Sequence, residues 1–283
     1  MPLVSLSSIL KDARKKKYGV GMFDVHNLEM TNAVIEAAEE EKSPVILALA
    51  EVHAVSPSVL EDISNIITRG AQRANVPVCA HFDHGLSLDN CIRVLHCGFS
   101  SVMFDGSTLP YEENIKKTAE FVRFASLFNA SVEAELGHVG NAEGGGEGHE
   151  EAVFTDPDQT EDFIRRTGVD ALAVSIGTVH GHYTRAPCLN LEILSAINKK
   201  SRVPLVLHGG SGLSDQDFCN CIQNGISKIN IYTDLIETAM KAISGSVNQA
   251  RSLKYPDLMN LSVVEMKEYV RQKLRLFGSS GRI

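Results

Sequence analysis

Residues 203–212 read VPLVLHGGSG, a short apolar run that stops at His208 and is followed at once by a glycine pair. Two other runs end in the same way, at His84 in VPVCAHFDHG (residues 76–85) and at His180 in DALAVSIGTVHG (residues 170–181). Near-continuous apolar runs are typical of strands that are covered on both faces in a parallel sheet. The three runs therefore predict parallel strands with a histidine where each apolar run ends.

Runs of this kind alternate with helical patterns about eight times along the chain. Between them, stretches such as NAVIEAAEEEK (residues 32–42) repeat apolar residues every three to four positions, as helices with one buried face do. Eight βα units in 283 residues predict an α/β fold, a (β/α)8 TIM barrel that forms a single domain over residues 1–283. A doubly wound open sheet is the alternative, which is disfavoured because no GxGxxG follows the first strand. The predicted strands begin at Tyr18, Pro44, Val76, Ser101, Ser131, Ala171, Val203 and Ser227.

The overall charge and composition narrow the range of partners. A net charge of −8 argues against a nucleic-acid partner, since proteins that bind phosphate backbones carry clustered Lys and Arg. No apolar stretch is long enough to span a membrane, so no membrane partner is expected. The six cysteines form no CxxC pair and no disulfide-rich spacing, which favours a cytoplasmic location.

The three histidines that end apolar runs, His84, His180 and His208, are the strongest candidates for metal ligands. The carboxyl ends of barrel strands meet at one rim, where the active sites of TIM barrels lie. Catalytic zinc commonly has three protein ligands and an open fourth position. A single histidine is more often structural, but three of them in equivalent places predict a shared metal ion.

Carboxylates accompany these histidines. Asp83 directly precedes His84 and could move a proton on a metal-bound substrate, or instead hold a histidine ring in place. Asp105 and Glu135 close the fourth and fifth predicted strands, where they could hold a second cation or pair with interior groups.

Glu133 and Lys228 are expected to face the inside of the barrel, because side chains alternate between the two faces of a strand. We predict a buried ion pair between them. The alternative is a metal-free lyase in which Lys228 forms a Schiff base with a carbonyl substrate.

Two turns predict a phosphate site. HGGSG (residues 208–212) and NIYTD (residues 230–234) follow the last two strands, and those loops often build phosphate sites in TIM barrels. Glycine lets backbone amides approach an anion closely, and Ser211 and Thr233 add hydroxyl donors. The loop at residues 137–151 is rich in glycine and acid, so it is either a disordered tip or a lid that delivers Glu143 as a proton carrier.

Taken in order, the motifs of this chain resemble those of the class II (zinc-dependent) ketose-bisphosphate aldolases, the family that includes fructose- and tagatose-bisphosphate aldolases. The resemblance runs over essentially the whole chain. It includes the segments NLEMTNAVIEAAEEEKSPVIL, DHG, FDGS, VEAELGHVG, TDPDQ, GVDALAVSIGTVHGHY, VPLVLHGGSG, KINIYTDL and KLRLFGSSGRI.

The resemblance implies roles for individual residues. Asp83 matches the aspartate that transfers a proton, and Glu143 matches the loop glutamate that exchanges the proton on carbon 3. One catalytic Zn²⁺ ion per chain is implied, with ligands at His84, His180 and His208. Positions that can hold a second or displaced cation correspond to Asp105 and Glu135. Positions that hold the dihydroxyacetone phosphate half of the substrate and a monovalent cation, Na⁺ or K⁺, correspond to Gly181, Gly209, Ser211, Asn230 and Thr233.

The implied activity is the reversible cleavage of a ketose 1-phosphate or 1,6-bisphosphate to dihydroxyacetone phosphate and an aldehyde, by a homodimer or homotetramer. Three positions depart from the pattern of many fructose-bisphosphate members: Asp24, Ala50 and Thr184. These departures place the chain closer to the tagatose-type and related sugar-phosphate branch. The alternative without catalysis is a barrel that binds sugar phosphates and has lost its activity.

Overall fold

Eight parallel strands close into a barrel. The computed structural model describes residues 2–141, 152–181, 183, 187–248 and 254–283. The fold predicted from the sequence, a (β/α)8 barrel, is therefore confirmed. In the order in which they pair around the barrel, the strands are β1 (Val20–Asp24), β10 (Ile226–Ile231), β9 (Leu205–Leu207), β7 (Ala171–Val174), β5 (Ser131–Leu136), β4 (Ser101–Phe104), β3 (Val78–Gly85) and β2 (Val45–Ala50), which pairs with β1 again.

Ten α-helices lie in the described part of the chain, and none of them has the length and apolar character needed to cross a membrane. Several begin after a side chain that accepts a hydrogen bond from the first turn, as Ser5, Asn27 and Ser56 do. The helices are α1 (Leu6–Lys16), α2 (Leu28–Glu40), α3 (Pro57–Arg73), α4 (Leu88–His96), α5 (Tyr111–Ser126), α6 (Pro157–Thr167), α7 (Leu191–Lys200), α8 (Asp215–Gln223), α9 (Thr233–Asn248) and α10 (Tyr255–Leu276).

A second, very small sheet stands above the barrel, in which β6 (Gly140–Asn141) pairs in parallel with β8 (Val179–His180). The sequence pattern predicted that His180 would end a barrel strand, but β7 stops at Val174. Gly177 lies between them with φ +108°, a left-handed turn that glycine adopts without strain. The chain therefore leaves the barrel and returns over its mouth before it reaches His180.

Two apolar layers hold the barrel together. The outer layer packs the outward side chains of the strands, such as Phe82 and Val102, against the surrounding helices. The inner layer fills the amino-terminal half of the barrel interior, where Met22 and Ile46 belong to the same buried apolar cluster as the buried face of α1. Leu10 on that face is fully buried, so α1 closes the barrel from below. The carboxyl-terminal half of the interior is left for polar side chains.

Candidate active site

A cavity of about 310 Å³ opens at the carboxyl ends of the barrel strands. The fold gathers there ten of the twelve residues to which the resemblance assigns a catalytic, metal-binding or substrate-binding role. Of the other two, His208 is fully buried beside this cavity, and Glu143 lies outside the described residues. The ten are Asp83, His84, Asp105, Glu135, His180, Gly181, Gly209, Ser211, Asn230 and Thr233.

The three candidate metal ligands converge. One nitrogen atom from each of His84, His180 and His208 lies within 4.8 Å of the other two. The closest pair is Nδ1 of His208 and Nε2 of His84, at 2.8 Å. The rings of His84 and His180 have their centroids 4.8 Å apart.

Carboxylates orient two of these rings. Asp105 Oδ2 lies 2.9 Å from Nδ1 of His84, and Glu133 Oε1 lies 2.9 Å from Nε2 of His208. An imidazole that donates one N–H to a carboxylate presents the lone pair of its other nitrogen, so the two lone pairs face the same space. Nε2 of His180 is buried without a hydrogen-bond partner. Three imidazole nitrogens, two of them on rings held by carboxylates, fit a zinc ion.

The backbone conformation of His84 explains how Asp83 and His84, which are adjacent in sequence, both face the cavity. His84 has φ +48°, in the left-handed region that few non-glycine residues adopt. Here β3 also shifts its register against β4, between Phe82 and Gly85. Regular alternation would point Asp83 and His84 to opposite faces of the strand, and this turn brings both into the cavity.

Asp83 is a buried carboxylate surrounded by nitrogen atoms. It is 3 % exposed, and Nδ2 of Asn230 lies 3.4 Å from both of its oxygens. Nζ of Lys228 lies 3.9 Å away and Nε2 of His81 lies 3.6 Å away. Burial alone would raise the pKa of Asp83, but His84, His81 and Lys228 hold this pKa well below its usual value. Asp83 is therefore ionised and able to accept a proton.

The predicted ion pair between Glu133 and Lys228 is confirmed inside the barrel. Nζ of Lys228 lies 2.8 Å from Oε2 and 3.0 Å from Oε1 of Glu133, and both side chains are fully buried. Burial would raise the pKa of Glu133, but Lys228 and His208 lower it to about 2. Lys228 is not among the residues that line the cavity. A charged amine held beneath the cavity is poorly placed to form a Schiff base.

Asp105 and Glu135 form a second potential cation site with His84, in which their ligand atoms lie within 4.8 Å of one another. Burial and the charge of Asp105 raise the pKa of Glu135 to about 8. Oε1 of Glu135 accepts a hydrogen bond from the backbone N–H of Val139 at 2.8 Å, while Oε2 has no partner. Asp105 thus orients the His84 ring through Nδ1, and it is also a potential ligand in this second cation site.

The two predicted anion-binding turns meet. Oγ of Ser211 accepts hydrogen bonds from the backbone N–H groups of Tyr232 and Asp234, each at 3.3 Å. Its own hydroxyl hydrogen remains available to an anion. Helix α9 begins at Thr233, and the amino terminus of a helix attracts phosphate. Gly209 has φ +65° and gives the turn its shape.

A model of the family "Fructose-bisphosphate aldolase class-II" matches residues 4–282. The chain belongs to the class II fructose-bisphosphate aldolase family. It is thus an aldolase, an enzyme that cleaves and forms carbon–carbon bonds. The family match agrees with the resemblance found in the sequence motifs, and it covers nearly every residue of the chain.

Several aldolases are similar over their full length. The fructose-bisphosphate aldolase of Geobacillus stearothermophilus is 39 % identical, with 100 % of this chain and 99 % of the relative covered. The protein YdjI of Escherichia coli K12 is 43 % identical over 96 % of each chain. The crystal structure of this YdjI aldolase superposes with a TM-score of 0.88, at 40 % identity and 99 % coverage of both chains.

Some residues of this aldolase cavity escaped the sequence interpretation. His53 and His138 also line the cavity, where Nδ1 of His138 lies 2.9 Å from Oγ of Ser107. His138 follows the end of β5 by two residues, which was a usable signal. His53 lies in a short 3-10 helix after β2 and stacks near Tyr232, at 4.6 Å between ring centroids, which no local pattern indicates. Thr184, like Glu143, lies outside the described residues.

Proposed function

We propose that this aldolase reversibly cleaves a ketose 1-phosphate or 1,6-bisphosphate to dihydroxyacetone phosphate and an aldehyde, with one zinc ion per chain held by His84, His180 and His208. The observation that carries the proposal is the convergence of three imidazole nitrogens, two of them on rings braced by carboxylates. Bound zinc would supply a Lewis acid that polarises the substrate carbonyl and stabilises the enediolate left after cleavage.

Two residues of the chain carry out the two proton transfers of the reaction. Asp83 takes the proton of the carbon-4 hydroxyl, so that its oxygen becomes the carbonyl of the departing aldehyde and the bond between carbons 3 and 4 breaks. The electron pair of that bond passes to the dihydroxyacetone phosphate half. Glu143 is proposed to return a proton to carbon 3. Each such transfer contributes roughly a hundred- to ten-thousand-fold to the rate.

The phosphate end of the substrate is assigned to the loops after β9 and β10. Backbone amides near Gly181 and Gly209, the hydroxyls of Ser211 and Thr233, and the amino terminus of α9 supply donors there. Asn230 lies between this region and Asp83 and can contact the bound half. A monovalent cation beside the phosphate and a homodimeric or homotetrameric assembly stay predictions.

Metal removal tests the proposal. The purified protein is stripped with a chelator, reloaded with zinc, and incubated with fructose and tagatose 1,6-bisphosphates and the matching 1-phosphates. We expect cleavage of at least one ketose phosphate, its loss on stripping, and its return with zinc. Failure to cleave any of them despite bound zinc would support a barrel that only binds sugar phosphates.

Borohydride treatment tests the alternative that uses Lys228. A Schiff base with dihydroxyacetone phosphate would be reduced to a stable adduct that mass spectrometry detects on the lysine. We expect no adduct and no loss of activity after reduction in the presence of substrate. Chelator-resistant activity with an adduct on Lys228 would replace the zinc mechanism.

A further inference from the structure

A carboxylate at the rim of the barrel ties two neighbouring loops together. Glu51 follows directly after β2 and begins the short 3-10 helix Glu51–His53. Its Oε2 accepts hydrogen bonds from the backbone N–H groups of Leu86 at 2.5 Å and Ser87 at 3.1 Å. Its Oε1 accepts one from Nδ2 of Asn90 at 2.7 Å. Glu51 therefore holds the segment that leads from β3 into α4 by three hydrogen bonds.

This segment starts just after the candidate zinc ligand His84. His84 has φ +48°, and Gly85 follows it as the last residue of β3. A non-glycine residue keeps a left-handed backbone only where the surrounding contacts enforce it. The contacts made by the residues next to His84 therefore decide whether this turn is maintained.

Contacts on both sides of the turn fix its path. Before the turn, β2 and β3 pair with Ala50 opposite Asp83. After the turn, the carbonyl oxygen of Gly85 accepts a hydrogen bond from the backbone N–H of Asp105 at 3.1 Å. The next two N–H groups along the chain are the pair that Glu51 binds. The carboxylate of Glu51 thus restrains the chain immediately after the turn.

We propose that Glu51 is a positioning residue for the zinc site: it restrains the chain after the turn and so keeps the His84 ring aimed at the nitrogen atoms of His180 and His208. The inference rests on the proposed zinc site and adds a residue that acts through the backbone, since Glu51 is not among the residues that line the cavity. Groups that orient metal ligands typically change metal affinity roughly ten- to a hundredfold.

The test measures zinc affinity by competition with a chelating dye, in proteins stripped of metal and shown to be folded by thermal unfolding. Glu51→Ala removes the acceptor of all three hydrogen bonds, so zinc should bind about tenfold more weakly. Glu51→Gln should retain the wild-type affinity. Its oxygen still accepts from Leu86 and Ser87, and the amide of Asn90 can turn to accept from the new NH₂ group.

A second pair of variants exchanges the donor and the acceptor of one contact. Asn90→Asp sets two carboxylates against each other and should weaken zinc binding as Glu51→Ala does. When Glu51→Gln is added, its NH₂ group donates to the new carboxylate, and the wild-type affinity should return. Asn90 lies in the first turn of α4, where an acidic side chain favours the helix. A loss of affinity in Asn90→Asp would therefore not come from a weakened helix.

Glu61→Ala is the matched control. Glu61 pairs with Arg93 of α4 at 3.0 Å, and its side chain is 48 % exposed. It also connects the region after β2 to α4, but away from the turn, so its loss should leave zinc affinity unchanged. Amide hydrogen exchange of the metal-free protein is an independent readout. Exchange at Leu86 and Ser87 should become faster in Glu51→Ala and stay unchanged in Glu61→Ala.

The outcomes are distinct. Weaker zinc binding in Glu51→Ala and Asn90→Asp, recovered in the double variant and absent in Glu61→Ala, supports the inference. Wild-type affinity in Glu51→Ala, or an equal loss in Glu61→Ala, would overturn it. If Glu51→Ala does not fold, the double variant decides, and a failure to recover the affinity lost in Asn90→Asp would overturn it. A wild-type protein that binds no zinc would overturn the zinc proposal itself, and this inference with it.

Discussion

The glycine that follows each candidate zinc ligand has a physical reason. A Cβ atom on Gly85 would lie 2.6 Å from the carbonyl oxygen of Met103, and Gly181 and Gly209 have φ +85° and +65°. His84 itself adopts a left-handed backbone, which costs on the order of 1–3 kcal/mol for a non-glycine residue. The His-Gly pairs therefore mark places where the chain turns sharply enough to aim an imidazole into the cavity.

Replacement of Asp83 by alanine should separate metal binding from proton transfer. In Asp83→Ala we expect zinc content to be unchanged and kcat for ketose phosphate cleavage to fall about a hundred- to ten-thousand-fold, because no other group takes the proton of the carbon-4 hydroxyl. Zinc is measured by atomic emission and cleavage by a coupled assay. Wild-type turnover in this variant would exclude Asp83 from the mechanism.

Asp105 should control the affinity for zinc through His84. Removal of a carboxylate that orients a metal-bound histidine typically weakens binding ten- to a hundredfold, and we expect this for Asp105→Ala in a competition with a chelating dye. Ser107→Ala is the control, since its backbone N–H still donates to Asp105 at 3.0 Å. Equal affinities in the two variants would mean that Asp105 does not support the ligand.

At the scale of elements, the site depends on how three segments meet: the turn after β9, the end of β10 and the start of α9. The carbonyl oxygen of Asn230 accepts a hydrogen bond from Gly210 N–H at 3.2 Å, and Ser211 accepts two more from the start of α9. Tyr183 links the turn after β9 to β8: its hydroxyl donates to the carbonyl oxygen of Gly209 at 2.8 Å and accepts a hydrogen bond from the backbone N–H of Val179 at 3.2 Å. The proposed anion-binding turns and the candidate zinc ligands are thus parts of one connected structure.

Gly209→Ala should therefore damage phosphate binding through the backbone. An added Cβ would lie 2.3 Å from the carbonyl oxygen of Val179, and the positive φ is unfavourable for alanine. We expect a loss of more than about 1 kcal/mol of unfolding free energy and a higher KM for dihydroxyacetone phosphate.

Gly245→Ala is the matched control for this substitution. Gly245 lies inside α9, and nothing lies within 4 Å of an added Cβ. Alanine should stabilise that helix by roughly 0.5–1 kcal/mol and leave KM unchanged. Urea unfolding and condensation kinetics test both variants, and similar behaviour of the two would contradict the backbone explanation.

For the whole molecule, the two ends of the chain close the barrel. Strands β1 and β10 pair in parallel, with Val20 opposite Lys228, so the first and last strands complete the ring. Helix α10 then packs on α2, and the segment after α10 returns to Glu41. Backbone N–H of Gly281 donates to the carbonyl oxygen of Glu41 at 2.8 Å. The carboxyl-terminal residues thus brace the amino-terminal half of the fold.

Glu41 should make this closure dependent on pH. Glu41 is 8 % exposed. Its Oε1 accepts hydrogen bonds from Nη2 of Arg275 at 2.6 Å and Nε of Arg271 at 2.9 Å, and its Oε2 accepts one from the hydroxyl of Ser280 at 2.8 Å. The contact with Arg275 is the main cause that lowers the pKa of Glu41 to about 2. A lowered pKa stabilises the fold above the ordinary carboxyl value of 4.5, and this contribution is lost as pH falls through about 2.

We therefore expect Glu41→Gln to cost about 2 kcal/mol of unfolding free energy at pH 7, and the cost to shrink steadily below about pH 4.5. Urea unfolding at several pH values measures the difference. Glu40→Gln is the control, because the side chain of Glu40 is 43 % exposed where it pairs with Lys267. Such an exposed pair should contribute less than about 1 kcal/mol to the free energy of unfolding. A cost for Glu41→Gln that does not change with pH would contradict the ionic explanation.

The barrel was predictable because its causes are local. A strand covered on both faces has to be apolar along its length, and a helix over it has to be apolar on one side, so each element is visible in its own stretch of sequence. The ion pair of Glu133 and Lys228 followed from the same alternation. The place of His180 did not, because the turn at Gly177 leads it out of β7 and into β8.

Residue types, their order and their place at strand ends are properties of the linear chain, and they sufficed to name the fold, the family and the candidate ligands. Distances between residues far apart in sequence arise only when the barrel closes. The 2.8 Å approach of His84 and His208 and the hydrogen bonds that Glu51 accepts from the segment after β3 are of this kind. The pattern of strands and helices depends on residues that are neighbours in sequence. The shape of a cavity depends on residues that are far apart in sequence and become neighbours only in the folded structure.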